Sequence, residues 1–319
     1  MKAWMLGMLG ALAVAAAQAQ EFPAKPVKLI SPFPAGNVND VVVRMIGDRF
    51  KESTGQSWVF EYRPGGAGVI AAQALMASAA DGYTILLATS GLMSINPHTF
   101  SNLPYDPFKD FAPISQAVGS QMVFAGAGDV PAASLADFIG YAKANPGKTT
   151  FASFTAGNPS HFAGVILNQL AGIDMTHVPY KGSPFAIQEL LGGQVRSAFL
   201  PLISVKPHVE AGKLKAFAIT GAQRSPLMPN VPTFKELGYP QMEIYIWSGF
   251  VAPAGTPPAV VQKLNREIAA ALRAPETQQK LRAIDLEPFP TAPEEFGRMI
   301  RADHDRWKGA VKASGFRAD

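Results

Sequence analysis

The chain has 319 residues, a formal net charge of +4 and no cysteine. With its basic residues scattered, it lacks the dense basic stripe of a nucleic-acid binder, and no nucleic-acid partner is expected. No disulfide can staple it, so stability has to come from burial. About 300 residues after a leader suit two domains of ordinary size.

The first residues read as that leader. Lys2 precedes an apolar run from Trp4 to Ala17, and Ala17-Gln18-Ala19 closes it. A charged start, an apolar core of about 7–15 residues and an A-x-A end describe a secretory signal peptide. The run is shorter than the roughly 20 apolar residues of a membrane span. The expectation is a signal peptide over residues 1–19, cleaved after Ala19. A periplasmic protein without a lipid anchor follows, because no cysteine succeeds the leader.

Val27 to Ile30 then reads as a short buried strand that ends in Ser31-Pro32-Phe33-Pro34-Ala35-Gly36. Apolar residues at Val41, Val42, Met45, Ile46 and Phe50 have helical spacing, with Asn39 or Asp40 as a natural N-cap. Trp58 to Tyr62 reads as a strand, Arg63 to Gly68 as a turn, Val69 to Ala79 as a helix and Thr84 to Thr89 as a strand. The same grammar returns later. Helices are predicted over 134–145, 160–171, 184–192 and 204–211, and strands over 149–153, 175–178, 195–200 and 214–220. The loop Gly221 to Gln241 holds four prolines, Pro226, Pro229, Pro232 and Pro240, and should be ordered by packing. Three helices close the chain, over 258–272, 275–283 and 293–314.

This alternation predicts an α/β fold with parallel strands and helices on the sheet faces. Two strand-rich segments followed by a helical tail predict two lobes, with crossings near Gln116–Gly126 and Ile244–Ala254. The boundaries are 20–120 for the first part of lobe 1, 121–248 for lobe 2, and 249–319 for a mostly helical return to lobe 1.

Ligands in open α/β sheets collect at the C-terminal ends of strands. Two places fit. Pro34-Ala35-Gly36-Asn37 joins a strand to a helix start, whose free N–H groups suit a carboxylate, and Gly36 allows close backbone approach. An ordinary turn is the alternative. Ser153 to His161 repeats the arrangement, with Thr155, Asn158 and Ser160 adding side-chain donors. One loop per lobe makes a clamp.

Other patterns carry less. Gly66-Ala67-Gly68-Val69-Ile70-Ala71 matches a loose dinucleotide pattern, and a tight turn explains it as well. His161 lies near Ser153 and Ser160, yet no G-x-S-x-G elbow accompanies them. His98, His161, His177, His208 and His304 show no i, i+4 pair, so no metal site is expected. Neither a cofactor nor catalysis is predicted.

An ordered set of words runs through these loops. Pro32-Phe33-Pro34-Ala35-Gly36 comes with Asp40 and Arg44, then Arg63-Pro64-Gly65-Gly66-Ala67-Gly68 and Asp81-Gly82-Tyr83-Thr84. Asn96-Pro97, Leu103-Pro104-Tyr105-Asp106-Pro107 and Lys109-Asp110-Phe111 follow. Later come His177-Val178-Pro179-Tyr180-Lys181-Gly182, Leu190-Leu191-Gly192-Gly193-Gln194-Val195, Pro229-Asn230-Val231-Pro232-Thr233 and Ala252-Pro253-Ala254-Gly255-Thr256-Pro257. In this order the chain resembles the Bug/TctC family, the extracytoplasmic solute receptors of tripartite tricarboxylate transporters.

The resemblance implies a two-lobed fold like that of periplasmic binding proteins, with a ligand cleft between the lobes. A small carboxylate would be held largely by main-chain groups and water. The expected ligand-binding residues are Phe33, Pro34, Ala35, Gly36, Asn37, Asp40, Ser90, Ser153, Thr155, Gly157, Asn158, His161, Tyr180, Lys181 and Phe199. A monomer is expected, with membrane transporter subunits or a sensor as partners; the alternative functions are a ligand-binding sensor protein for a signalling system and a secreted α/β hydrolase.

Some positions depart from the family pattern. Asn37 stands where a glycine is usual, which predicts a side-chain amide in the pocket. Thr155 and Asn158 replace glycine and a small hydroxyl residue. Acidic residues usual at the positions of Arg196 and Leu200 are missing, which disfavours an amino-acid ligand. Phe33, Phe154 and Phe199 could wall the pocket or be plain core.

Overall fold

A computed structural model describes residues 22–319; the expected leader, 1–19, lies outside them. The first half opens with strand β1 (Val27–Ser31), helix α1 (Val38–Thr54), β2 (Trp58–Tyr62), α2 (Val69–Met76) and β3 (Thr84–Thr89). A wide helical turn, Gly91–Ile95, and the short α3 (Asn96–Thr99) follow. Local chemistry accounts for the helix ends. Asn37 caps α1 by accepting from Asn39 N, and Gly55, at φ 73°, ends it.

The long strand β4 (Phe111–Ala127) leads into the second half. There lie α4 (Leu135–Ala144), β5 (Thr149–Ser153), α5 (Pro159–Ala171), β6 (Met175–Pro179), α6 (Ser183–Leu191), β7 (Ser197–Pro201), α7 (Leu202–Glu210) and β8 (Leu214–Ile219). Ser134 and Asp137 form a reciprocal capping box on α4. Within the loop after β8, Met228, Val231 and Phe234 are buried, and Arg224 pairs with Glu236. Strand β9 (Tyr245–Pro253) returns to the first half, followed by α8 (Pro258–Arg273), α9 (Pro275–Ala283), β10 (Glu287–Pro288) and α10 (Pro293–Ser314). All three of these helices begin on proline, whose missing N–H costs nothing there.

The sheet order is β2-β1-β3-β9-β4-β7-β5-β6, with β10 and β8 also paired to β4. β1, β2 and β3 are mutually parallel, as are β5, β6 and β7. β4 belongs to both halves. Its residues from Phe111 to Gln121 pair with β9, and those from Met122 onward pair with β7 and β8. The return crossing is equally tight: Ile244 N bonds Thr220 O, and Tyr245 opposes Gln121. The two segments expected as crossings are therefore strands through most of their length. The result is the two-lobed α/β fold.

One expectation needs correction. Residues 249–319 do not all return to the first half, because α10 spans both. Phe296 and Ile300 pack in the first half, whereas Trp307, Ala310 and Val311 join the second half's core. Between them the buried Asp303 accepts a 2.7 Å hydrogen bond from Trp247 Nε1 of β9. Burial pushes this carboxyl up from its usual range.

Candidate functional site

The parallel strands of both halves end near one stretch of β4. Thr89, ending β3, pairs with Ser248 of β9, which opposes Val118. Ser153, ending β5, pairs with Phe199 of β7, which opposes Phe124. The loops that leave β1, β3 and β5 therefore start at the junction of the halves.

In the first half, Pro34, Ala35 and Gly36 are exposed and present backbone. Gly36 has φ 85°, a conformation that favours glycine. Asp40 holds this loop from inside: it is buried, accepts from Gly36 N at 2.6 Å, and takes a 3.2 Å bond from Tyr62 Oη. The Asn37 amide does not enter a pocket, contrary to expectation. Its Oδ1 caps α1, and its Nδ2 donates to Pro34 O at 2.7 Å. Phe33 packs partly buried against the α1-side core. Ser90 is buried at the start of the Gly91–Ile95 turn.

The second loop is built on the same plan. Asn158 Oδ1 accepts from Ser160 N, His161 N and Ser160 Oγ. Ser160 Oγ in turn accepts from Phe154 N. Gly157, at φ 72°, donates its N–H to His161 Nδ1 at 3.3 Å. A Cβ on Gly157 would meet the Phe316 ring at 2.5 Å, so a larger residue there has to displace that ring as well as adopt an unfavourable φ. Thr155 and Lys181 are exposed, and Tyr180 is half-buried. Tyr180 N bonds Ser153 O, and Gly182 N bonds Phe154 O, tying the turn after β6 to this loop.

Phe199 is not a pocket wall. It is fully buried, with its ring 4.7 Å from that of Phe124 and 6.0 Å from that of Phe234. Phe154 packs partly buried against the same core.

Sequence reasoning missed the role of His177. Its Nε2 lies 2.7 Å from Ser153 Oγ, and its ring stacks on His161 at 3.7 Å and 10°. Burial pushes His177 down to about 4. Burial, then the proximity of His177, pushes His161 down to about 3. Both imidazoles are therefore neutral at neutral pH. Ser153 is fully buried, and the only other hydrogen bond of its hydroxyl among the described residues goes to Thr155 O. The Ser153–His177 contact thus braces a loop, with no carboxylate behind the imidazole and no exposed nucleophile.

Among the described residues, no hydrogen bond joins the loop over 33–40 to that over 153–161, and no group of three His, Asp or Glu side chains gathers for a metal. None of their helices is long and apolar enough to cross a membrane.

The family model described as "Tripartite tricarboxylate transporter family receptor" matches residues 42–316. Protein BugT of Bordetella pertussis is 34% identical over 298 residues, covering 93% of this chain and 91% of that protein. A solved R. palustris protein with adipate is 33% identical at a TM-score of 0.79, covering 93% of this chain and 99% of that one. MatC from Rhodopseudomonas palustris, solved with bound malate, is 29% identical at a TM-score of 0.74, covering 91% and 100%.

Proposed function

Because the chain belongs to the tripartite tricarboxylate transporter receptor family, we propose that it captures a small carboxylate between its two halves in the periplasm. It then presents the acid, chemically unchanged, to membrane transporter subunits. The observation that carries this reading is the pair of strand–loop–helix junctions that begin on either side of β4. Both lie at a helix N-terminus, where an anion is favoured; Pro34 to Gly36 are exposed in the first, and in the second Thr155 is exposed while residues 156–158 are half-buried. Each also spends its polar side chains on holding the loop: Asp40 and Asn37 in one, Asn158, Ser160 and His161 in the other. A grip made of main chain, helix ends and water suits a carboxylate without demanding a counter-charge. The adipate and malate of the two solved relatives are acids of this class.

The test is a thermal-shift screen of the chain without its leader against mono-, di- and tricarboxylates, their amides, amino acids and neutral solutes. A ligand at about 100 times its Kd stabilises by roughly 2.7 kcal/mol, several degrees for a protein of this size. An acid that shifts the transition, loses the effect on amidation and is recovered intact supports the reading. Stabilisation by neutral or cationic solutes alone overturns it.

A further inference from the structure

Gln121, at the crossing itself, borders a cavity of about 740 Å³ that contains none of the loop residues above. Asp285 also lines it, on the turn between α9 and β10, with a left-handed φ of 58° that Asp tolerates better than most residues. Its neighbours Leu281 and Leu286 belong to the first half's core. Across the cavity stands Ser225, on the loop whose Met228 and Phe234 belong to the second half's core. Ser225 Oγ reaches Asp285 Oδ1 at 3.5 Å, and Gln121 lines the same cavity. Gln121 Oε1 is buried and has no donor among the described residues.

We propose that Asp285 is a proton-operated latch between the halves: neutral, it holds them as they stand here, and when they rotate on capturing a ligand it gives its proton to water. This rests on the capture reading above. Asp285 already touches Ser225, so the halves cannot approach further at this point. Rotation about the Gln121–Tyr245 crossing parts the contact and wets the carboxyl. Burial raises Asp285 to about 7, and the Glu287 charge adds to the rise, against the Gln121 and Ser225 side chains. The cations nearby are engaged elsewhere, Arg282 with Glu287 and Arg224 with Glu236. Tyr245 Oη accepts from Ala222 N.

The experiment titrates adipate, then malate, calorimetrically into the full mature chain, at pH 6 and pH 8 and in two buffers of different ionisation enthalpy. A carboxyl moving from about 7 to its ordinary value near 3.8 makes binding about tenfold tighter at pH 8 than at pH 6 and releases close to one proton at pH 6. Asp285→Asn keeps the shape, tolerates the same φ and should lose both effects. Ser225→Ala, which removes a donor that favours the ionised form, should move the midpoint of the affinity–pH curve upward. Equal pH dependence and proton release in wild type and Asp285→Asn overturn the latch while leaving capture intact. Failure of every acid to bind overturns the capture reading and the latch with it.

Discussion

Asp40→Ala tests whether the first loop is held as the structure indicates. The carboxylate accepts from Gly36 N at 2.6 Å and Tyr62 Oη at 3.2 Å while only 6% exposed. Hydrogen bonds to a charged group contribute about 1.5–3 kcal/mol each. Gly36 is exposed, so its freed N–H finds water and its loss falls at the low end. The Tyr62 hydroxyl keeps its contact with Arg44 Nη2 at 3.3 Å, which limits the second loss. The expected cost is about 2–3 kcal/mol, read as a lower urea midpoint with an unchanged slope. Because the same bonds fix residues 34–37 at the start of α1, the affinity for any acid found in the screen should fall as well. Asp40→Asn keeps one acceptor oxygen and should lose less on both counts. Unchanged stability and affinity in Asp40→Ala would refute the argument that Asp40 shapes this loop.

Three further outcomes follow from the packing. Gly164→Ala places a Cβ 2.1 Å from the Phe151 ring and should cost about 1–3 kcal/mol by overpacking, whereas Gly140→Ala, with open space around it in α4, should stabilise by up to about 1 kcal/mol in the same denaturation assay. Trp307→Ala empties a fully buried site in the second half's core and should cost about 3–5 kcal/mol, visible as a lower Tm. His161 and His177, held to about 3 and about 4, stay neutral in the fold while their unfolded counterparts titrate near pH 6.5. Their contribution is therefore complete above pH 6.5 and is lost as pH falls toward 4. Urea midpoints measured from pH 7 to pH 4.5 should show this decline, and His177→Gln should flatten it by about one proton.

Several elements were legible in the sequence. β2, β3, β5, α9 and α10 fall where their apolar spacing, prolines and turn glycines place them. β4 and β9 were harder to read, because β4 is buried along nearly its whole length and carries Pro113, Gly119 and Ser120. A strand covered on both faces loses the alternation that marks a half-buried one. The stripe Phe296, Ile300, Trp307 and Val311 announces a helix but cannot say that its two ends belong to different cores. At the candidate site, the loops could be found from small polar residues between a strand and a helix. The stacking of His161 on His177 could not, since it depends on the β5–β6 register that sets Phe151 against His177. Likewise, nothing local distinguishes Asn37 as a cap from Asn37 as a pocket amide until the Pro34 carbonyl is placed beside it.

What selects the ligand then follows from what the loops leave free. With Asp40, Asn37, Asn158, Ser160 and His161 all engaged in holding the loops, the proposed grip on the acid is left to main chain and would recognise little beyond a negative oxygen. Discrimination between acids of different length has to come from the distance between the loops. That distance is governed by the three connections between the halves, β4, β9 and α10. Two of them meet at Gln121 and Tyr245, and the third is pinned midway by Asp303 against Trp247 of β9. A substitution there should change which acid fits without touching any group that contacts it.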